Sequence, residues 1–147
     1  MPIQSKSCPQ LQKYKLSAQK RLVSVKFGPR LSFPDVRRYA ENLRSDPRFD
    51  SGFSEIVDLG NVEELTMTPQ ETMRLADLAD PFRPGSKRAF VAATDLQMRA
   101  ARMHQLLRND EINIRIFSSM KEAVEWIESE ARGPTLISVL DKSKIRA

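Results

Sequence analysis

The spacing of apolar residues changes period along the chain, and each change marks an element. Tyr14 and Leu16 alternate with lysines, and Val23, Val25 and Phe27 alternate with Ser24 and Lys26. A repeat of two places the apolar groups on one face of an extended strand. The polar run from Ser17 to Arg21 supplies the turn between these two strands, so they read as a hairpin. Gly28-Pro29 stops the second strand. Beyond it Val36, Tyr39, Ala40 and Leu43 recur at i, i+3, i+4 and i+7, the spacing of one helical face. Ser32, with Asp35 three residues on, is a cap for the free amides at that helix start, and Asp46-Pro47 ends it.

The alternation then repeats. Ser54 to Leu59 carries Ile56, Val57 and Leu59, a short strand buried on both faces. Thr68-Pro69-Gln70-Glu71 is a second capping box, with Pro69 where a missing amide costs least. Leu75, Leu78, Ala79 and Phe82 form the face of the helix it opens, and Pro81, Pro84 and Gly85 close that helix. Ala89 to Ala93 is a continuous apolar run suited to a central parallel strand. Thr94 or Asp95 caps the next helix, whose buried side is expected to be Leu96, Ala100, Met103 and Leu107. Ile112, Ile114 and Ile116 alternate with Asn113 and Arg115, as in a strand near the sheet edge. Ser119 and Glu122 open a last helix with Met120, Val124 and Ile127 facing inward and Trp126 covering the core edge; Gly133-Pro134 ends it.

The predicted order is β-β-α-β-α-β-α-β-α. Strands alternating with helices after one hairpin imply an α/β fold, a mixed, mostly parallel five-stranded sheet with about four helices. Residues 1–10 read as a disordered leader, 11–131 as the folded domain, and 132–147 as a tail. Within that tail, Leu136 to Leu140 adds a short strand or docks loosely.

Composition narrows the class. The 147 residues are 40% hydrophobic and 29% charged, enough for one core. No apolar run approaches the roughly 18–20 residues that span a bilayer, and residues 1–10 lack a signal-peptide stretch, so a cytoplasmic, non-transmembrane protein is expected. The net charge of +5 is uneven. Residues 1–50 hold 11 basic and 4 acidic side chains, residues 51–86 hold 2 and 7, and residues 87–147 hold 11 and 8. The basic groups are dispersed among acids without interleaved aromatics, so specific nucleic-acid binding is not expected.

Catalytic and cofactor motifs are sparse. None of the five glycines forms a dinucleotide or P-loop cradle, and there is no nucleophile elbow. Cys8 and His104 are single, which excludes a disulfide and a multi-histidine metal site. No cofactor is expected. The acidic pair that a phosphoacceptor domain needs after its first strand is missing: Phe27-Gly28-Pro29 stands there. Asp58 and Asp95 follow strand ends, where carboxylates for magnesium or catalysis would converge. With Arg99, Arg102 and His104 they are the candidate set for an enzyme, the weakest of the readings. Asp58 has a second role open to it, holding nearby loop amides.

The segment from Ile56 to Thr68, with Asp58-Leu59 ending a strand and Val62 and Leu65 before a helix cap, resembles the STAS-like superfamily, which includes bacterial anti-sigma-factor antagonists. Ala92-Ala93-Thr94-Asp95-Leu96, Ala101-Arg102-Met103 and Asp46-Pro47-Arg48-Phe49-Asp50 resemble a bacterial STAS-like branch related in fold to lipid-binding CRAL-TRIO domains. The resemblance covers about residues 11–130. It implies a regulatory or protein-interaction module whose partner meets the loop after Asp58 and the helix start at Thr68, with Asp58, Asn61, Thr66, Thr68, Asp95, Arg99 and Arg102 as binding residues. In the antagonists a serine at this helix start is phosphorylated; Met67 occupies that position here, with Thr66 and Thr68 beside it. The alternative is a small-molecule or lipid-binding domain, with Phe82, Phe90, Met98 and Met103 lining a cleft at the C-terminal strand ends. A homodimer through the strand at Ile112–Phe117 or through the tail is a further expectation.

Overall fold

A computed structural model describes residues 14–77 and 80–131. The leader at 1–10, Cys8, the tail at 132–147 with its strand at Leu136–Leu140, and the expected helix positions Leu78 and Ala79 lie outside the described residues.

The hairpin forms as the alternation dictates. β1 (Tyr14–Ser17) pairs antiparallel with β2 (Leu22–Lys26), Leu16 opposite Val23. After β3 (Arg30–Leu31), α1 (Phe33–Ser45) starts at Ser32, whose Oγ accepts from the Asp35 amide at 3.3 Å. β4 (Ser54–Asp58), β5 (Glu64–Leu65), α2 (Pro69–Arg74), β6 (Arg88–Val91), α3 (Asp95–Arg108), β7 (Ile114–Phe117) and α4 (Met120–Ala131) follow. The sheet runs β1-β2-β4-β6-β7. It is mixed: β1 is antiparallel to β2, and the β2–β4, β4–β6 and β6–β7 pairings are parallel. The expected α/β class, five-stranded sheet and four helices are all present, and β7 lies at a sheet edge, although it begins at Ile114 and leaves Ile112, expected within it, 68% exposed.

Pleating divides the core into two. One face of the sheet carries Val23, Val25, Val57, Phe90 and Ile114, packed with Tyr39 and Leu43 of α1 and Ala101 of α3. The other carries Ile56, Ala89 and Val91, packed with Ala123 and Ile127 of α4. No helix among the described residues is long and apolar enough to cross a membrane.

Four expectations need correction. First, β3 and β5 form a separate two-stranded parallel sheet, too short to leave a periodic signal. Second, the helix opened by Thr68 is only six residues long and passes into a 3-10 turn at Leu75–Asp77, so Phe82 is buried from a loop rather than from that helix. Third, β6 begins at Arg88, a buried charged residue, ahead of the expected Ala89. Fourth, the buried side of α3 is only partly the expected stripe. Leu96 and Ala100 pack against the core as expected, whereas Met103 is 43% exposed and Gln97 and Ala101 are the buried residues. A second line, Gln97, Ala101, His104 and Arg108, at i, i+4, i+7 and i+11, also turns inward.

The burial of Gln97 has a physical cause. The Gln97 amide donates to the carbonyls of Gly60 (3.2 Å) and Val62 (3.0 Å) and its Oε1 accepts from the amides of Ala93 (2.7 Å) and Thr94 (3.1 Å). Four loop groups that would otherwise be stranded are thereby satisfied. Thr94, not Asp95, is the N-cap, and Asn109 closes α3 in the left-handed conformation.

Candidate functional site

Parallel register places Glu55 of β4 directly beside Arg88 of β6. Both side chains point to the α1/α3 face, and both are almost completely buried. Charged residues are rarely so buried unless paired. Here Arg88 Nε donates to Glu55 Oε1 at 2.8 Å and Arg88 Nη1 to Asp80 Oδ2 at 2.7 Å. Tyr39 of α1 donates its hydroxyl to Glu55 Oε2 at 2.6 Å. Arg108, at the end of α3, places Nε 3.5 Å from Asp80 and donates from Nη2 to the Leu75 carbonyl at 3.2 Å. The Phe82 ring lies under the Arg88 guanidinium, 4.7 Å from its centroid. The result is a chain of alternating charge, Tyr39–Glu55–Arg88–Asp80–Arg108, running from one helix across two strands to the other helix.

Electrostatics fix the protonation states. Burial and then the Glu55 carboxylate hold the Tyr39 hydroxyl protonated, its pKa well above 10. Burial opposes the charge on Arg88, but the Glu55 and Asp80 carboxylates outweigh it and keep the guanidinium firmly cationic. His104 is held neutral: burial, then the positive charges of Arg88 and Arg108, push its pKa well below the usual histidine value. Its ring packs on Phe90 at 5.1 Å, and its Nε2, shielded from solvent, has no hydrogen-bond partner.

These groups border a cavity of about 290 Å³ between the sheet and the helical layer. Its walls are mainly apolar. Phe27, Val57, Leu59 and Phe90 come from the sheet side, Val36 and Ala40 from α1, Leu65 and Met67 from the loop before α2, and Ala100 and Met103 from α3. Arg99 and Met103 line it yet are exposed, so they stand at its rim. A second cleft, lined by the loop Pro81–Ser86, shares Asp80, Arg88 and Arg108 with the first. The first cavity is the stronger candidate, because an apolar chamber with a few convergent polar groups is the usual form of a ligand site.

Of the seven binding residues expected from sequence, Arg99 alone lines the cavity. Asp58 fixes its loop: Oδ1 accepts the Gly60 amide at 2.8 Å and Oδ2 lies 3.9 Å from Lys26 Nζ. Asn61 is exposed, and its backbone carbonyl would lie 2.7 Å from any Cβ placed on Gly28, whose φ of +132° also requires glycine. Thr66 donates its amide to the Leu31 carbonyl at 3.0 Å. Thr68 and Glu71 complete a reciprocal capping box. Asp95 and Arg102 are exposed on α3. Three of the four apolar residues expected at a cleft, Phe82, Phe90 and Met103, line the cavity; Met98 does not. The cavity also extends along the sheet face from Glu55 and Arg88 to Leu59, rather than sitting only at the C-terminal strand ends.

The residues missed from sequence are Tyr39, Glu55, Asp80, Arg88 and Arg108. A signal was present for two of them: Glu55 directly precedes the apolar pair Ile56-Val57 of its strand, and Arg88 abuts the longest apolar run. Among the described residues no group of three or more His, Cys, Asp or Glu side chains is placed to hold a metal ion. The chain matches no family model, no curated protein and no solved structure.

Proposed function

We propose that this chain is a cytoplasmic, non-enzymatic small-molecule-binding domain of STAS-like plan. The observation that carries this reading is the apolar cavity of about 290 Å³ with Glu55, Arg88 and His104 on its border, His104 having an unpartnered Nε2. Binding is favoured over catalysis because the carboxylates of Glu55 and Asp80 are both engaged by cations, and because no serine or cysteine is among its lining residues.

A regulatory role for this site rests on one alternation. Leu65 and Met67 line the cavity, while Thr66 and Thr68 between and after them are exposed. The loop that a protein partner would meet in a STAS-like module is therefore also a wall of the chamber. Filling the cavity would hold that loop in one arrangement, which is how a ligand biases a two-state surface.

Ala100→Phe tests the reading directly, because it places a ring in the chamber from the α3 side. Wild type is expected to bind a two-ring aromatic probe saturably with one site, and the variant is expected to lose that binding while keeping its melting temperature within a few degrees. Equal binding by both proteins would move the site elsewhere.

A further inference from the structure

The buried charged groups along the cavity are already matched to one another, and the remaining charged lining residue, Arg99, is exposed at the rim. Glu55 receives Arg88 on one oxygen and Tyr39 on the other, and Asp80 is shared by Arg88 and Arg108. A charge carried deep into this chamber would find no free counter-charge and would be stripped of water, a combination that proteins avoid. The buried portion of a guest is therefore uncharged.

His104 is different. It lines the chamber, its ring is seated on Phe90, and its shielded Nε2 lacks a partner. A buried nitrogen left unpaired carries a desolvation cost that a hydrogen-bonding guest recovers. A neutral imidazole nitrogen is either donor or acceptor according to tautomer, and a hydroxyl serves both. Size is bounded as well. A dry cavity of about 150 Å³ holds one benzene, so 290 Å³ holds about a dozen non-hydrogen atoms.

Resting on the ligand-binding reading above, we infer that the guest is an uncharged, largely hydrocarbon molecule of about a dozen non-hydrogen atoms bearing one hydroxyl, and that His104 is the residue that selects for that hydroxyl. The apolar walls supply most of the affinity and tolerate variation in ring or chain shape. His104 supplies the discrimination.

Three probes of matched size separate the components: naphthalene, 2-naphthol and 2-naphthoate at neutral pH, titrated against the full chain with the probes' fluorescence as readout. Wild type is expected to bind 2-naphthol on the order of tenfold more tightly than naphthalene, and 2-naphthoate more weakly than either. In His104→Leu the preference for 2-naphthol over naphthalene, read as the ratio of the two affinities, should fall to within about twofold. His104→Gln, which keeps a polar group at a similar reach, should retain part of the preference. Equal binding of naphthalene and 2-naphthol by wild type, or a preference that survives His104→Leu, overturns the hydroxyl inference and leaves the cavity reading standing. Tightest binding of 2-naphthoate overturns the uncharged class. Failure of all three probes, or binding that Ala100→Phe leaves intact, overturns both the inference and the reading it rests on.

Discussion

The two faces of the sheet are built from the same strands to different ends. On one face α4 closes Ala123 and Ile127 over Ile56, Ala89 and Val91, with Leu22, Phe117, Val124 and Trp126 around them. These residues are apolar, and the cations of Lys87 and Arg115 lie over the Trp126 ring. On the other face α1 and α3 cover Val23, Val25, Val57 and Phe90, but Glu55 and Arg88 stand in the same layer and a cavity remains. Alternation alone assigns the residues: β4 turns Ile56 one way and Glu55 and Val57 the other. Buried ion pairs add little stability over apolar residues of equal volume. Both faces bury apolar side chains, and the open face alone adds a buried charge network and a cavity.

The largest effect expected lies in the charge network. Arg88→Met leaves Glu55 with Tyr39 alone and Asp80 with Arg108 alone, and urea denaturation should show a loss of about 3–5 kcal/mol. Removing Glu55 as well, in Glu55→Leu/Arg88→Met, should recover part of that loss, because one orphaned charge goes with its partner. A double variant no better than Arg88→Met would mean that the open face depends on Arg88 for shape rather than for charge pairing.

Next is the closed face. Ile127 is 4% exposed on α4, and Ile127→Ala should cost about 2–4 kcal/mol in the same assay through the cavity it leaves. Its affinity for 2-naphthol should not change. A parallel loss of affinity would show that the two faces are not independent and would break the comparison.

The same contrast explains what could be read in advance. The closed face mostly follows the binary pattern: of Met120, Val124 and Ile127, expected inward, Val124 and Ile127 pack against the sheet there, and Met120 is 39% exposed. The hairpin and the caps at Ser32 and Thr68 were also legible, and the third helix cap was narrowed to Thr94 or Asp95, since each depends on local spacing and turn chemistry. The open face was not. Hydrophobic periodicity on α3 selects Leu96, Ala100, Met103 and Leu107, of which Leu96 and Ala100 pack against the core, but Gln97, Ala101, His104 and Arg108 turn inward as well, because Gln97 and Arg108 satisfy loop carbonyls and Asp80 satisfies Arg108. Such a line is chosen by partners distant in sequence, and no period within the helix records it. Glu55 and Arg88 likewise become a pair only through strand register.

A smaller effect, confined to the open face, is a pH dependence owed to His104. Its folded pKa lies well below the usual value of about 6.5 because burial, then Arg88 and Arg108, disfavour its cation. Between those two values the unfolded chain binds a proton that the folded chain does not. Stability from this group is thus complete above pH about 6.5 and falls on acidification, by at most about 1.4 kcal/mol per pH unit. His104 is the single histidine. Asp46, whose carboxyl Arg48 and Tyr14 hold well below its ordinary value, loses its contribution only at more acidic pH, below about 3.9. Chemical denaturation of wild type and His104→Leu from pH 7.5 to 5 should therefore diverge, with wild type declining more steeply; parallel curves would place the histidine in water.

The smallest effect tests whether the wall of the open face is held locally. Thr68 caps α2, a helix with no buried residues, and its neighbours Met67 and Thr72 line the cavity. Thr68→Ala removes the acceptor for the Glu71 amide, and caps of this kind are worth about 1 kcal/mol. Because α2 is short and carries no part of the core, the loss should appear as local opening rather than as global instability. Amide exchange across residues 69–75 should quicken, and 2-naphthol should dissociate faster, while the urea midpoint shifts little. Thr68→Ser, which keeps the hydroxyl, should restore both. If Thr68→Ala instead lowers the midpoint as much as Ile127→Ala does, the cap supports the whole fold, and the open face is not a locally stabilised wall set on a rigid sheet.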